Sequence, residues 1–117
     1  MTDHEQLQLQ PEDGKLVVLA KATRARTGAA EGAALRDLDG RTYAAATVDL
    51  PSLQLSALGV CIAMAVASGA KGAEAVVVLG ASNPSPSDLD ALRDFAGTDV
   101  PAYYGAPNGT VTSTVSS

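Results

Sequence analysis

The chain has 117 residues, 46% of them hydrophobic and 18% charged, and a formal net charge of -5. That size and balance predict one globular domain with a core of its own, and exclude a disordered chain. The acidic surplus and an aromatic content of 3% argue against binding to nucleic-acid backbones or stacking on bases. A single Cys excludes an internal disulfide framework and a four-Cys zinc site, and the single His4 sits in a polar start.

Residues 1–9 read as a polar, flexible terminus, and residues 10–117 as the domain. The acidic Met1–Glu5 start carries no apolar stretch of the signal-peptide kind, which predicts a cytoplasmic protein. Pro11 followed by Glu12 and Asp13 marks a helix start, with Leu16, Leu19, Ala20 and Thr23 on one face and Gly28 at the end. Asp39-Gly40 between two extended segments, 31–37 and 41–48, predicts a hairpin. The alanines of both arms favour helix instead, and the turn chemistry is given the greater weight.

Leu50-Pro51-Ser52 interrupts the chain, and Ser52 is placed as the cap of a helix running to Ser68. That helix is apolar nearly all round, which places it centrally. Its stretch from Leu53 to Ala67 is too short for a membrane span and is broken by Gln54, Ser56 and Gly59, so no membrane association is expected. Ala75–Leu79 is a short apolar run of the kind buried on both faces of a sheet. Ser85-Pro86-Ser87-Asp88 reads as a capping box opening a helix that carries Leu89, Leu92 and Phe95. Val100–Tyr104 forms a further strand, Asn108-Gly109 a turn, and Thr110–Val115 an edge strand. The order predicts a three-layer α/β/α domain with a mixed sheet, the strands at Ala75 and Val100 pairing parallel through a helical crossover. From Tyr43 to Ser87 the only charges are Asp49, Lys71 and Glu74, so this stretch is core or subunit interface.

Gly32-Ala33-Ala34, Asp39-Gly40-Arg41, Thr47-Val48-Asp49, the small-residue helix ending at Ser68-Gly69, and Pro84 to Phe95 together resemble the cytidine deaminase family. The resemblance is to short bacterial members of the actinobacterial type and spans about Gln10 to Val115. It implies the family's α/β/α fold, a zinc ion held by three side chains, and a Glu that shuttles protons. Matched residue by residue, the three ligand positions fall on Ser56, Ser85 and Asp88, and the Glu position on Leu58. The sugar-contacting positions fall on Thr47 and Asp49, and a base-packing Phe near Ala29 or Ala30.

Each of these residues also has an ordinary structural role. Ser56 can pack and back-bond in a helix, and Ser85 with Asp88 can cap one. Thr47 and Asp49 can be polar groups at strand ends. Cys61, between Val60 and Ile62, reads as a buried inert thiol, and Tyr103-Tyr104 as strand residues or part of an interface. Gly28 to Gly32 lacks the Gly-Lys-Ser/Thr ending of a phosphate loop.

The expectation is therefore a non-catalytic member of the family that works as a homo-oligomeric interaction module, with no zinc or other cofactor bound. The alternatives are a nucleoside sensor without turnover and a zinc-dependent cytidine deaminase with unusual ligands.

Overall fold

A computed structural model describes residues 8–80 and 85–117. The elements run α1 (Pro11–Thr27), β1 (Gly32–Asp37), β2 (Thr42–Ala46), β3 (Val48–Leu50), β4 (Leu53–Leu55), α2 (Ala57–Ala67), β5 (Ala73–Leu79), α3 (Pro86–Ala96), β6 (Pro101–Gly105) and β7 (Val111–Ser116). The main sheet has the order β2-β1-β5-β6-β7. Its one parallel pair is β5 with β6, joined through α3 as the crossover rule requires.

Helix α1 covers one face of the sheet, with Leu16 and Ala20 packed on Ala34, Val77 and Leu79. Helices α2 and α3 cover the other, where Leu58, Cys61, Ile62 and Leu92 meet Leu35, Val76 and Val78. Successive valines of β5 thus serve opposite cores, as a strand buried on both faces must. Small residues let α1 approach β1. A Cβ added at Gly32 would lie 2.2 Å from the Ala20 carbonyl oxygen. That closeness suits the alanines of β1 to strand positions despite their helical preference.

The Asp39-Gly40 hairpin forms as predicted, with Gly40 at φ 85°. Asp37 secures it. One carboxylate oxygen accepts from the Asp39 and Arg41 amides, at 2.9 Å each, and the other from the Tyr43 hydroxyl at 2.8 Å.

On the opposite face, Asp13 does more than face the helix dipole. It binds Arg36 at 2.8 Å and accepts from the Tyr103 hydroxyl at 2.8 Å, and Arg36 continues to Glu74 at 2.7 Å. This network ties α1 to β1, β5 and β6.

Three predictions need correction. The helix predicted from Ser52 begins only at Ala57. Leu53, Gln54 and Leu55 instead pair with Leu50, Asp49 and Val48 in a separate two-stranded ribbon, and Ser52 lies in its turn. Helix α2 is not enclosed on all sides, since Val66 is 55% exposed. The capping box at α3 is absent. Ser85 takes the cap position without a side-chain bond to a backbone amide of the helix, and Asp88 turns instead to Ser56. Residues 1–7, with His4, and Pro84 lie outside the described residues. Leu9, placed in the flexible terminus, packs against the α1 core.

Candidate functional site

A cavity of about 570 Å³ opens where the end of α1, the β3–β4 ribbon and the start of α2 meet. Gly28, in the left-handed conformation at φ 67°, turns the chain out of α1 into the Ala29-Ala30 segment that forms one wall. Thr47 pins this wall to the sheet. Its amide donates to the Glu31 carbonyl at 3.1 Å, and its hydroxyl accepts from the Glu31 amide at 2.8 Å. Asp49 and Gln54, cross-strand partners in the ribbon, line the cavity with Val48 and Leu55.

Ser56 completes the lining and caps α2. Its hydroxyl oxygen accepts from the Gly59 amide at 2.9 Å, and its proton is donated to Asp88 Oδ1 at 2.6 Å. Asp88, in the first turn of α3, is only 8% exposed. One hydroxyl therefore joins the first turns of two helices.

Two residues that the family matching did not reach, Glu31 and Tyr104, lie near this pair. The Glu31 carboxyl faces the start of α2. Burial and the Asp88 charge raise its pKa, and the Ala57 amide partly offsets them. The Tyr104 hydroxyl, on a residue 1% exposed, has no hydrogen-bond partner among the described residues. Burial, then the charges of Asp88 and Glu31, push its pKa up to about 12. Strand alternation explains why adjacent tyrosines differ so much: Tyr103 points to α1 and Asp13, and Tyr104 to the α2–α3 side.

The remaining predicted site residues lie elsewhere. Ser85 pairs its hydroxyl with that of Ser87 at 2.9 Å on the exposed side. Leu58 is fully buried in the α2–α3 core and does not line the cavity. Cys61 is buried too, its pKa pushed up to about 12 by burial. Its thiol is no nucleophile at neutral pH. Among the described residues, no three His, Cys, Asp or Glu side chains form a group able to hold a metal ion, and no helix is long and apolar enough to cross a membrane.

The mixed five-stranded sheet between α1 and the α2–α3 pair, with a cavity at the start of α2 whose Ser56 bonds to the first turn of α3, defines a deaminase-type α/β/α domain. Residues 9–109 match the family described as cytidine deaminase-like, and the chain belongs to that family. A search among curated proteins finds no match. The fold is similar to a cytidine deaminase from Burkholderia pseudomallei, with a TM-score of 0.76 and 22% identity over 99% of this chain and 93% of that one. It is also similar to a cytidine deaminase from Mycobacterium leprae, with a TM-score of 0.71 and 22% identity over 92% and 94%. A third, from Mycobacterium tuberculosis, aligns with a TM-score of 0.67 and 20% identity over 81% and 85%.

Proposed function

We propose that this chain is a non-catalytic cytidine deaminase-fold protein that acts as a homo-oligomeric interaction module. The observation that carries the reading is the side chain at the position where the family resemblance places the proton-shuttling Glu. Leu58 stands there, and it is fully buried in the core. It offers no titratable group, and general acid–base catalysis is worth about 10²–10⁴-fold.

The donors at the family's zinc positions support the same reading. Ser56 already donates to Asp88 and accepts from Gly59, and Ser85 is engaged with Ser87. Asp88 is the one anionic donor of the three, whereas zinc sites are built from three or four strong ligands. This set does not fit the family's zinc.

The interaction role draws on the surface. Leu50 and Leu53, paired across the ribbon, are 56% and 48% exposed, and Val66 is exposed on α2. Apolar surface of this kind is what a subunit contact covers. Light scattering at micromolar concentration should report a mass above 11.8 kDa, and a monomer would count against the module. Elemental analysis after dialysis against chelator should find no stoichiometric zinc, and one zinc per chain would overturn the reading.

A second reading, a nucleoside sensor without turnover, is favoured by the retained cavity with Thr47 and Asp49 on its wall. A saturable rise in melting temperature with cytidine or uridine would select it.

A further inference from the structure

The main sheet ends at β7, whose outer side carries no further strand among the described residues. Strand phase fixes what that side offers. The Ser117 amide donates to the Val100 carbonyl at 3.0 Å, and the β6–β7 register runs on from Pro101↔Ser116 to Tyr104↔Ser113. In an antiparallel pair the hydrogen-bonding residues alternate, so Ser113, Val115 and Ser117 turn their amides and carbonyls toward β6. Those of Thr114 and Ser116 point outward, and no other backbone group among the described residues bonds to them.

Sheet edges of this kind are ordinarily blunted by a charge, a proline or a covering segment. Strand β7 contains neither proline nor charge, and the uncharged stretch extends over residues 100–117 in a chain of which 18% is charged. The one irregularity of the β6–β7 ladder falls between Tyr104 and Gly105, which leaves 113–116 regular. Thr112, Thr114 and Ser116 expose their side chains. The opposite edge is different, because Arg41 stands immediately before β2.

We propose that β7 pairs antiparallel with β7 of a second copy about a two-fold axis near Thr114, so that the two main sheets become one. Charge and symmetry argue for this occupant. Each copy carries a net charge of -5, so two copies repel over most approaches, and the neutral edge lets them meet without setting like charges side by side. A strand paired with itself about a two-fold axis is an isologous contact, in which the outward amide and carbonyl of Thr114 in each copy meet those of the other. Threonines directly opposite across the pairing add side-chain contact. The inference rests on the homo-oligomeric reading and gives it a surface distinct from the β3–β4 ribbon.

The test is the particle mass of the full chain by light scattering at micromolar concentration. The wild type should give twice 11.8 kDa or a higher even multiple. Thr114→Pro removes an outward N–H while the β6–β7 ladder keeps its bonds. Thr114→Lys sets two like charges face to face across the axis. Each should halve the mass, whereas Thr42→Lys on the opposite edge strand should leave it unchanged. Added salt should favour wild-type assembly by screening the net charge. Thr114→Cys should give a covalent dimer on mild oxidation, because directly paired Cα atoms stand about 5.5 Å apart, within disulfide reach. Cys61 is buried and gives the wild type no such product. Should Thr114→Pro fail to fold, Thr114→Lys and the cysteine cross-link decide. An assembly whose mass survives both substitutions at Thr114 overturns the edge pairing and leaves the homo-oligomeric reading standing. A wild-type monomer overturns both and leaves the edge to an extended segment of another protein.

Discussion

Replacing Ser56 by Ala removes two hydrogen bonds at once, and the structure sets their worth separately. The bond from the Gly59 amide, at 2.9 Å, is an N-cap, worth about 1 kcal/mol. The bond to Asp88, at 2.6 Å, is charge-assisted and serves a carboxylate only 8% exposed, and a hydrogen bond of that kind contributes about 1.5–3 kcal/mol. Together, Ser56→Ala should cost about 2–4 kcal/mol. With a urea slope of about 2 kcal/mol/M, the denaturation midpoint falls by about 1–2 M. A cycle with Asp88→Ala separates the shared bond from the cap and should return a coupling of at least about 1 kcal/mol. Ser85→Ala is the control. It caps nothing in the structure and should change stability by less than about 0.5 kcal/mol. A Ser56→Ala midpoint within about 0.3 M of wild type, or a Ser85→Ala effect as large as that of Ser56→Ala, would refute the assignment.

Gly32→Ala should destabilise by about 1–3 kcal/mol, because its Cβ would stand 2.2 Å from the Ala20 carbonyl oxygen; thermal melting checks it. Tyr104→Phe should be neutral or stabilising by up to about 1 kcal/mol, since the hydroxyl it removes has no partner, and a loss beyond that range would show a bond the structure does not contain. Glu31→Gln should gain on wild type as pH rises. Burial and Asp88 raise the Glu31 pKa above its ordinary 4.5, so the stability tied to its proton is present below that value and is lost as pH climbs through the raised one. Urea midpoints from pH 4 to 7 should therefore show the variant's advantage growing across this window and then levelling off.

The layers of the fold follow from local chemistry. Pro11 and Gly28 bound α1, Asp39-Gly40 makes the hairpin, and the apolar run of β5 is buried on both sides. The ribbon was hidden because three-residue strands carry little periodic signal. Leu53-Gln54-Leu55 alternates with period two, but it leads straight into a helix and follows a proline that suits a helix start. Ser52 and Ser56 are equally good caps by residue type, and only the pairing of 53–55 with 48–50 decides between them.

Of the candidate site, the residues reached by family matching gather in part. Thr47, Asp49 and Ser56 line one cavity, and Asp88 bonds to Ser56. Glu31 and Tyr104 gave no such signal. An acid in a run of Gly and Ala looks like a solvated turn, and a tyrosine in a strand looks like packing. Their approach to Asp88 comes from strand and helix positions far apart in sequence, which no local pattern encodes.

The central claim, that this fold is used here without turnover, is tested most directly by the ultraviolet loss of cytidine over hours with protein at near-stoichiometric concentration. The account predicts a rate equal to buffer alone, because Leu58 cannot move a proton and Ser56, Ser85 and Asp88 do not supply three strong zinc ligands. Steady loss of cytidine that stops with chelator and disappears in the Ser56→Ala, Asp88→Ala double variant would contradict it.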